Sequence, residues 1–233
     1  MILQSFLSNF QPFNEKYHYL FNSYYKSQGD HLVRGQRGAL SRPSCNEVTS
    51  YRQWVDEKVI KLLESKTSTE IINLVRIGIN HEQQHQELIM MDVKHILGSN
   101  PLNIKWCTGE PPISKKIEQH FIKFEQGLYD VGREFGESFC YDNETPKHKV
   151  YLSSFALSNK LVSNGEYLEF LESESYQNPL LWLSDGWDTK LAKPLYWIKR
   201  DGQWFEKTPY GELELQLDQP VTHVSFFEAD AYA

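Results

Sequence analysis

The chain has 233 residues, 40% hydrophobic and 24% charged, with a net charge of −7 and a pI of about 5.6; it is sized for one large or two modest folded domains, and its acidity argues against nucleic acid or an anionic membrane as main partner. No apolar run approaches the roughly 20 residues of a membrane helix, and the first ten residues lack the basic start and long apolar core of a signal peptide. Three distant cysteines, Cys45, Cys107 and Cys140, argue against a disulfide framework or a cysteine-rich zinc site and fit a reducing cytoplasm.

The first hundred residues read as helical. Residues 13–30 look like a helix that stops at Gly29. Residues 31–44 carry Gly35, Gly38 and Pro43 and read as a loop. Ser44 with Glu47 three positions later matches a capping box and opens a helix through about Glu64. Thr67 with Glu70 matches a second, whose helix continues to Leu97 and stops at Gly98 before Pro101. At about 1.5 Å per residue this helix exceeds about 40 Å. Long helices with short links suggest a bundle. After Pro101 the pattern changes to a linker and then to short strand-like runs such as residues 147–157, with many Gly, Trp and turn residues. One clear helix is capped by Ser163 and Glu166. The last stretch, residues 220–233, reads as a strand entering a helix that continues further. The expected architecture is multidomain: an all-α helical bundle over residues 1–104, a linker over 105–118, and part of an α+β domain over 119–233. Thirteen Tyr, thirteen Phe and six Trp suit either a filled core or aromatic-walled substrate pockets.

The second long helix carries His81-Glu82-Gln83-Gln84-His85, the letter pattern of zinc peptidases. On a helical wheel advancing about 100° per residue, His85, Leu88, Asp92, Leu74 and Ile77 all fall within about 40° of His81. The two histidines therefore share the apolar stripe expected to face the bundle interior. Their spacing lets both imidazoles reach one ion. Gly78, one turn earlier, leaves space beside them. Spacing alone equally admits two hydrogen-bonded core histidines. Glu82 is near enough to His85 for a general base, but a peptidase needs a third ligand soon after, and here the helix runs on. Asp92 lies about 10 Å further along, and Glu87 points away. Both read as groups outside the ligand set. A third ligand has to come from another helix, with His18 and His31 the candidates in the first half.

Three segments, YHYLFNSYY at 17–25, RGQRGALSRPS at 34–44 and HEQQHQELIMMDVKH at 81–95, resemble the N-terminal DinB-like four-helix bundle of the ergothioneine-biosynthesis sulfoxide synthases. Residues 127–171 and 220–233 resemble the formylglycine-generating-enzyme (sulfatase-modifying factor) fold. Those synthases join the two domains in this order. The resemblance implies non-haem iron(II) held by three neutral histidines, with dioxygen joining the sulfur of γ-glutamylcysteine or cysteine to the imidazole carbon of hercynine to give a sulfoxide. Imidazole suits iron(II), and open positions admit a thiolate and dioxygen together. By this resemblance His81 and His85 are two iron ligands and Gln84 helps hold the histidine-derived substrate. Arg34 and Arg37 grip the carboxylates of the thiol substrate, a task guanidiniums perform bidentately. The aromatics of residues 19–25 read as bundle packing. The resemblance also places the third iron histidine upstream of Met1, aligned with neither His18 nor His31. It places the tyrosine implicated in oxygen activation beyond the C-terminus, so the catalytic residue is unknown within this chain. The sequence thus reads as a fragment expected to bind iron weakly and to lack synthase activity. Other readings are the ovothiol-pathway 5-histidylcysteine sulfoxide synthase, a DinB-like thiol transferase, and a non-catalytic binding module. The expected setting is cytoplasmic, with small-molecule substrates.

Overall fold

A computed structural model describes residues 2–22, 29–30, 33–134, 136 and 139–233, apart from the side chains of Arg34 and Arg37. Packing divides the chain into two compact units, Met1–Gln84 with Gly136–Phe139, and His85–Phe135 with Cys140–Ala233.

The first unit is helical. Helices α1 (Ile2–Phe6), α2 (Tyr17–Leu20), α3 (Cys45–Ser65) and the start of α4 (Thr69–Gly98) succeed one another. The Ser44 hydroxyl accepts from the Glu47 amide at 3.3 Å, while the Glu47 carboxylate accepts from the Ser44 amide at 2.8 Å. The expected capping box therefore opens α3, satisfying two amides that a helix start leaves without partners. The cap of α4 lies one residue later than expected. Ser68, not Thr67, accepts from the Ile71 amide, at 3.3 Å. The Thr67 hydroxyl instead donates to the Leu63 carbonyl. Leu3, Leu62 and Ile71 form the buried core, with Trp54, Val59 and Val75 packed against it. Beside them Tyr51 of α3 meets Phe13 at 5.5 Å, Tyr17 at 5.2 Å and Phe21 at 5.9 Å between ring centroids. Phe21 thus serves as packing, as expected of it; Tyr24 and Tyr25, read the same way, lie outside the described residues.

Two elements of this half differ from expectation. Residues 13–16 are not helical; Asn14 accepts from the Lys16 amide at 2.9 Å, a local turn that competes with helix. The expected continuation through residues 23–28 lies outside the described residues. The segment read as a loop contains a short 3₁₀ helix, Arg34–Ala39, a tight form that tolerates the two glycines over so short a run.

In the second unit, β1 (Phe121–Phe124) pairs with β4 (Phe155–Ser158), and β2 (Gly127–Val131) pairs with β3 (His148–Leu152), all antiparallel. Phe124 opposite Phe155 and Gly127 opposite Leu152 share one register, so the four strands make one interrupted ribbon. A three-stranded meander follows: β5 (Trp197–Arg200), β6 (Gln203–Thr208) and β7 (Gly211–Glu214). Asp201 and Gly202 join β5 to β6, with φ of 49° and 83°, the two positive values that a tight hairpin turn requires. Helix α5 (Asn164–Glu172) has the expected Ser163–Glu166 capping box. Two further helices are α6 (Ser184–Asp188) and α7 (Phe226–Tyr232), the latter capped by Ser225 and Glu228. The strand expected before α7 is only an isolated bridge between Pro220 and Ser163.

Tyr167, Trp197 and Leu215 form the core of this unit, ringed by Phe170, Tyr176, Trp204 and Tyr232 among others. Each buried aromatic contributes on the order of 2–3 kcal/mol from area alone. Residues 99–120 carry no regular element, but they are tied down: the amides of Trp106 and Cys107 both donate to the Pro209 carbonyl, at 3.0 and 2.9 Å. Among the described residues no helix is long and apolar enough to cross a membrane.

Candidate functional site

Helix α4 carries the residues singled out by sequence. His81 and His85 lie one turn apart on it, as the i, i+4 spacing requires, with Gln84 between them. All three are exposed. The apolar stripe expected to point inward is exposed too: Ile77 at 47% and Leu88 at 49%. The reason lies in the packing, for Ile71 is the buried residue of α4, so the apolar core is met by the first turns and not by the histidine turns. Burial therefore does not force an ion on this pair, and its spacing is what remains. Gly78 has nothing within 4 Å of where a Cβ would sit, which agrees with the open space expected there.

Glu82, the would-be general base of the peptidase pattern, is engaged otherwise. Its carboxylate accepts from Arg52 of α3 at 3.0 Å, and Arg52 also pairs with Asp56 at 2.9 Å. Those two carboxylates hold the guanidinium firmly charged, Asp56 most. The ring of His18 meets the Glu15 carbonyl within its own turn. His31 lies outside the described residues. Arg34 and Arg37 open successive turns of the 3₁₀ segment, and their side chains also lie outside what is described. Among the described residues, no three His, Cys, Asp or Glu side chains group so as to hold a metal ion. Two imidazoles are the right donor type for iron(II), but they fall short of the usual three or more protein donors. The described residues do not by themselves complete such a site.

A second cluster, unread in the sequence, gathers around Tyr196. Lys94, on the last turns of α4, pairs with Glu206 of β6 at 3.1 Å and lies 5.2 Å from the Tyr196 ring centroid. The next residue, His95, has Nδ1 3.0 Å from the Tyr196 hydroxyl. His223 packs edge-on against the same ring at 4.8 Å. Both Tyr196 and His223 have left-handed backbones, φ of 72° and 59°, a strained state for a bulky side chain. Backbone bonds hold them there: the Lys207 amide donates to the Tyr196 carbonyl at 3.0 Å, and the Leu195 amide to the His223 carbonyl at 3.2 Å. Burial pushes the Tyr196 hydroxyl above its ordinary pKa. Burial first, and then Lys94, push the His223 imidazole below 6.5 against the opposing pull of Glu206. Lys94 and Glu206 are 112 positions apart, so no local pattern could have paired them.

Comparison with known proteins gives these geometries a context. Residues 110–233, more than half of the chain, match the family model of the sulfatase-modifying factor enzyme 1-like domain. The chain is 32% identical over 197 residues to a hercynine oxygenase of Mycolicibacterium smegmatis, covering 81% of this chain and 44% of that protein. It is 30% identical over 161 residues to a hercynine oxygenase of Mycobacterium tuberculosis, covering 66% and 37%. It is 35% identical over 97 residues to ergothioneine biosynthesis protein 1 of Schizosaccharomyces pombe, covering 41% and 11%. The chain thus spans less than half the length of the curated relatives it matches. A single stretch holding 81% of this chain contains all of α4 wherever it starts.

Proposed function

The chain belongs to the sulfatase-modifying factor enzyme 1-like domain family, and from that premise we propose that it serves ergothioneine biosynthesis as a cytoplasmic, iron(II)- and dioxygen-dependent sulfoxide synthase. The reaction joins the thiol of γ-glutamylcysteine, or cysteine, to the imidazole of hercynine. The observation that carries this reading is the similarity to a hercynine oxygenase across a stretch that includes the histidine-bearing helix.

In this reading residues 1–104 form a DinB-like bundle, residues 105–118 link it to residues 119–233, and His81 and His85 supply two iron ligands. A third donor comes from outside the described residues. Iron(II), when bound, would supply open positions for a thiolate and dioxygen. The chain's own residues bind and orient. Gln84, one residue before His85, hydrogen-bonds the histidine-derived substrate. Arg34 and Arg37, one 3₁₀ turn apart, hold the carboxylates of the thiol substrate by paired guanidinium hydrogen bonds. Fixing both substrates converts an encounter of two solutes into reaction between neighbours.

Anaerobic iron(II) titration of the 233-residue chain, followed by metal analysis, tests the ligand assignment. Weak binding is expected, since two imidazoles leave most of the ion's coordination to water, and His81→Ala and His85→Ala should each lower it further. Retention of the same iron by both variants would remove the pair from the ligand set. Arg34→Met with Arg37→Met should abolish γ-glutamylcysteine binding measured by calorimetry. Mass spectrometry for the sulfoxide, with oxygen uptake, should show no turnover by this chain alone, and product formed by it would overturn the need for a further donor.

A further inference from the structure

A cavity of about 420 Å³ opens beside the Lys94–Glu206 pair, lined also by Pro112, Pro209, Pro220, Leu213 and Glu214. All these residues belong to the second unit. The volume falls in the range of small-ligand sites. The prolines make one part of its wall apolar and stiff, since proline has a fixed φ and no amide hydrogen to satisfy, while Ser114, Thr208 and Gln216 add polar groups elsewhere on it.

The charged pair at its edge has capacity to spare. Lys94 and Glu206 are only 17% and 13% exposed, yet each uses part of its bonding potential. An ammonium has three donors and a carboxylate two acceptor oxygens. The hydrogen bond between these side chains joins Lys94 Nζ to Glu206 Oε1 alone. No side-chain nitrogen or oxygen among the described residues is both fully buried and without a partner. Glu206 Oε2 therefore reaches solvent, and Glu206 lines the cavity.

We propose that this cavity binds a small α-amino acid with an apolar side chain. The ligand's carboxylate adds to Lys94, its ammonium adds to Glu206 Oε2, and its side chain fills the proline-walled space. The match is one of charge order: the protein presents a cation and an anion in contact, and a zwitterion presents the complementary pair on one carbon. A ligand with a single charge would leave half of the protein pair without added bonding. The exposed Glu214 on its lining favours the ammonium end. This site uses none of the residues assigned to iron or to the thiol substrate, so it stands or falls separately from the function proposed above.

The test is calorimetry and NMR titration of the whole chain with L-leucine, against 4-methylpentanoate, which lacks the ammonium, and 3-methylbutylamine, which lacks the carboxylate. L-leucine should bind about tenfold or more tightly than either analogue. Lys94→Met and Glu206→Gln should each weaken it by a similar factor. Because removing one half of a part-buried pair also risks the fold, Leu213→Trp provides a second arm. It adds bulk to the cavity from the residue opposite Glu206 across β6 and β7 while keeping both charges of the pair, and it should abolish L-leucine binding while the far-UV spectrum is kept. Equal binding of L-leucine and 3-methylbutylamine would overturn the zwitterion reading. So would unchanged binding in Leu213→Trp, or no binding of L-leucine at millimolar concentration. The pair would then be a clamp between α4 and the sheet and nothing more.

Discussion

Helices α4 and α5 both begin on a serine cap, yet they are held in opposite ways. α4 runs for 30 residues and buries Ile71. α5 runs for nine, buries Asn164 and Tyr167, and ties its capping acid Glu166 to Lys160 at 2.6 Å. Local signals decide where each helix starts, and they do so equally well in both. How much of the fold depends on a helix is decided by what packs on it. The histidine turns of α4 are exposed and bury no core residue, whereas α5 is fixed by the core it builds.

The contrast is broken most directly at Tyr167. It stacks on Tyr232 at 5.4 Å and meets Trp197 edge-on at 6.3 Å. Tyr167→Ala should lower stability by about 3–5 kcal/mol, read by urea denaturation. Leu88→Ala, on the exposed stripe of α4, should stay within about 0.5 kcal/mol. Comparable losses for both would mean that α4 is as tightly packed as α5.

Next comes Gly186 of α6, where an added Cβ would lie 2.6 Å from Phe227 Cβ. That atom is fixed to the α7 backbone, so helix α7 itself must shift. Gly186→Ala should cost about 1–3 kcal/mol by overpacking, whereas Gly78→Ala, in open space on α4, should be neutral or stabilise by up to about 1 kcal/mol through helix propensity. Thermal unfolding of the two variants gives the comparison.

A smaller effect follows pH. The Lys160 ammonium first, and the Ser163 amide next, hold the Glu166 carboxyl down at about 2 from an ordinary 4.5. A group depressed in the fold stabilises fully above its unfolded pKa and loses that stabilisation as pH falls through the folded one. The window here is therefore from about 4.5 down to about 2. The side chain is 33% exposed, so solvent screening reduces the contribution to about 1 kcal/mol. Lys160→Met should flatten the acid limb of a stability-against-pH curve by that amount. An unchanged limb would show that the Ser163 cap alone holds Glu166.

The smallest expected change concerns His223. Its imidazole is held neutral by burial and by Lys94, so the unfolded chain takes up a proton more readily once pH falls below about 6.5, and stability drops with it. His223→Asn keeps a residue that tolerates the left-handed backbone and removes the titration. The slope just below pH 6.5 should lessen, as measured by urea midpoints across pH.

Much of the helix pattern was legible because its signals are local. Ser44 with Glu47, and Ser163 with Glu166, each act within one turn, and both boxes form as read. The Thr67 cap slipped by one residue because Ser68 is an equal acceptor and Thr67 found the Leu63 carbonyl. The meander β5–β7 was missed although Asp201-Gly202, between alternating residues, is a recognisable hairpin turn. The inward direction read for the His81 stripe failed for another reason. Periodicity shows that a face is apolar, but a face is buried only where some other element covers it.

The amino-acid order by itself set the capped starts of α3 and α5, the change from helical to strand-rich chain after Pro101, and the one-turn spacing of His81 and His85, all of which depend on neighbours within a few residues. Only the tertiary structure decided that Ile71 rather than the histidine turns would be buried. It alone brought Lys94 to Glu206 and gathered His95 and His223 about Tyr196. The contacts of Lys94 and His95 join residues a hundred or more positions apart, and their free energy comes from desolvation and packing that no short stretch of chain contains.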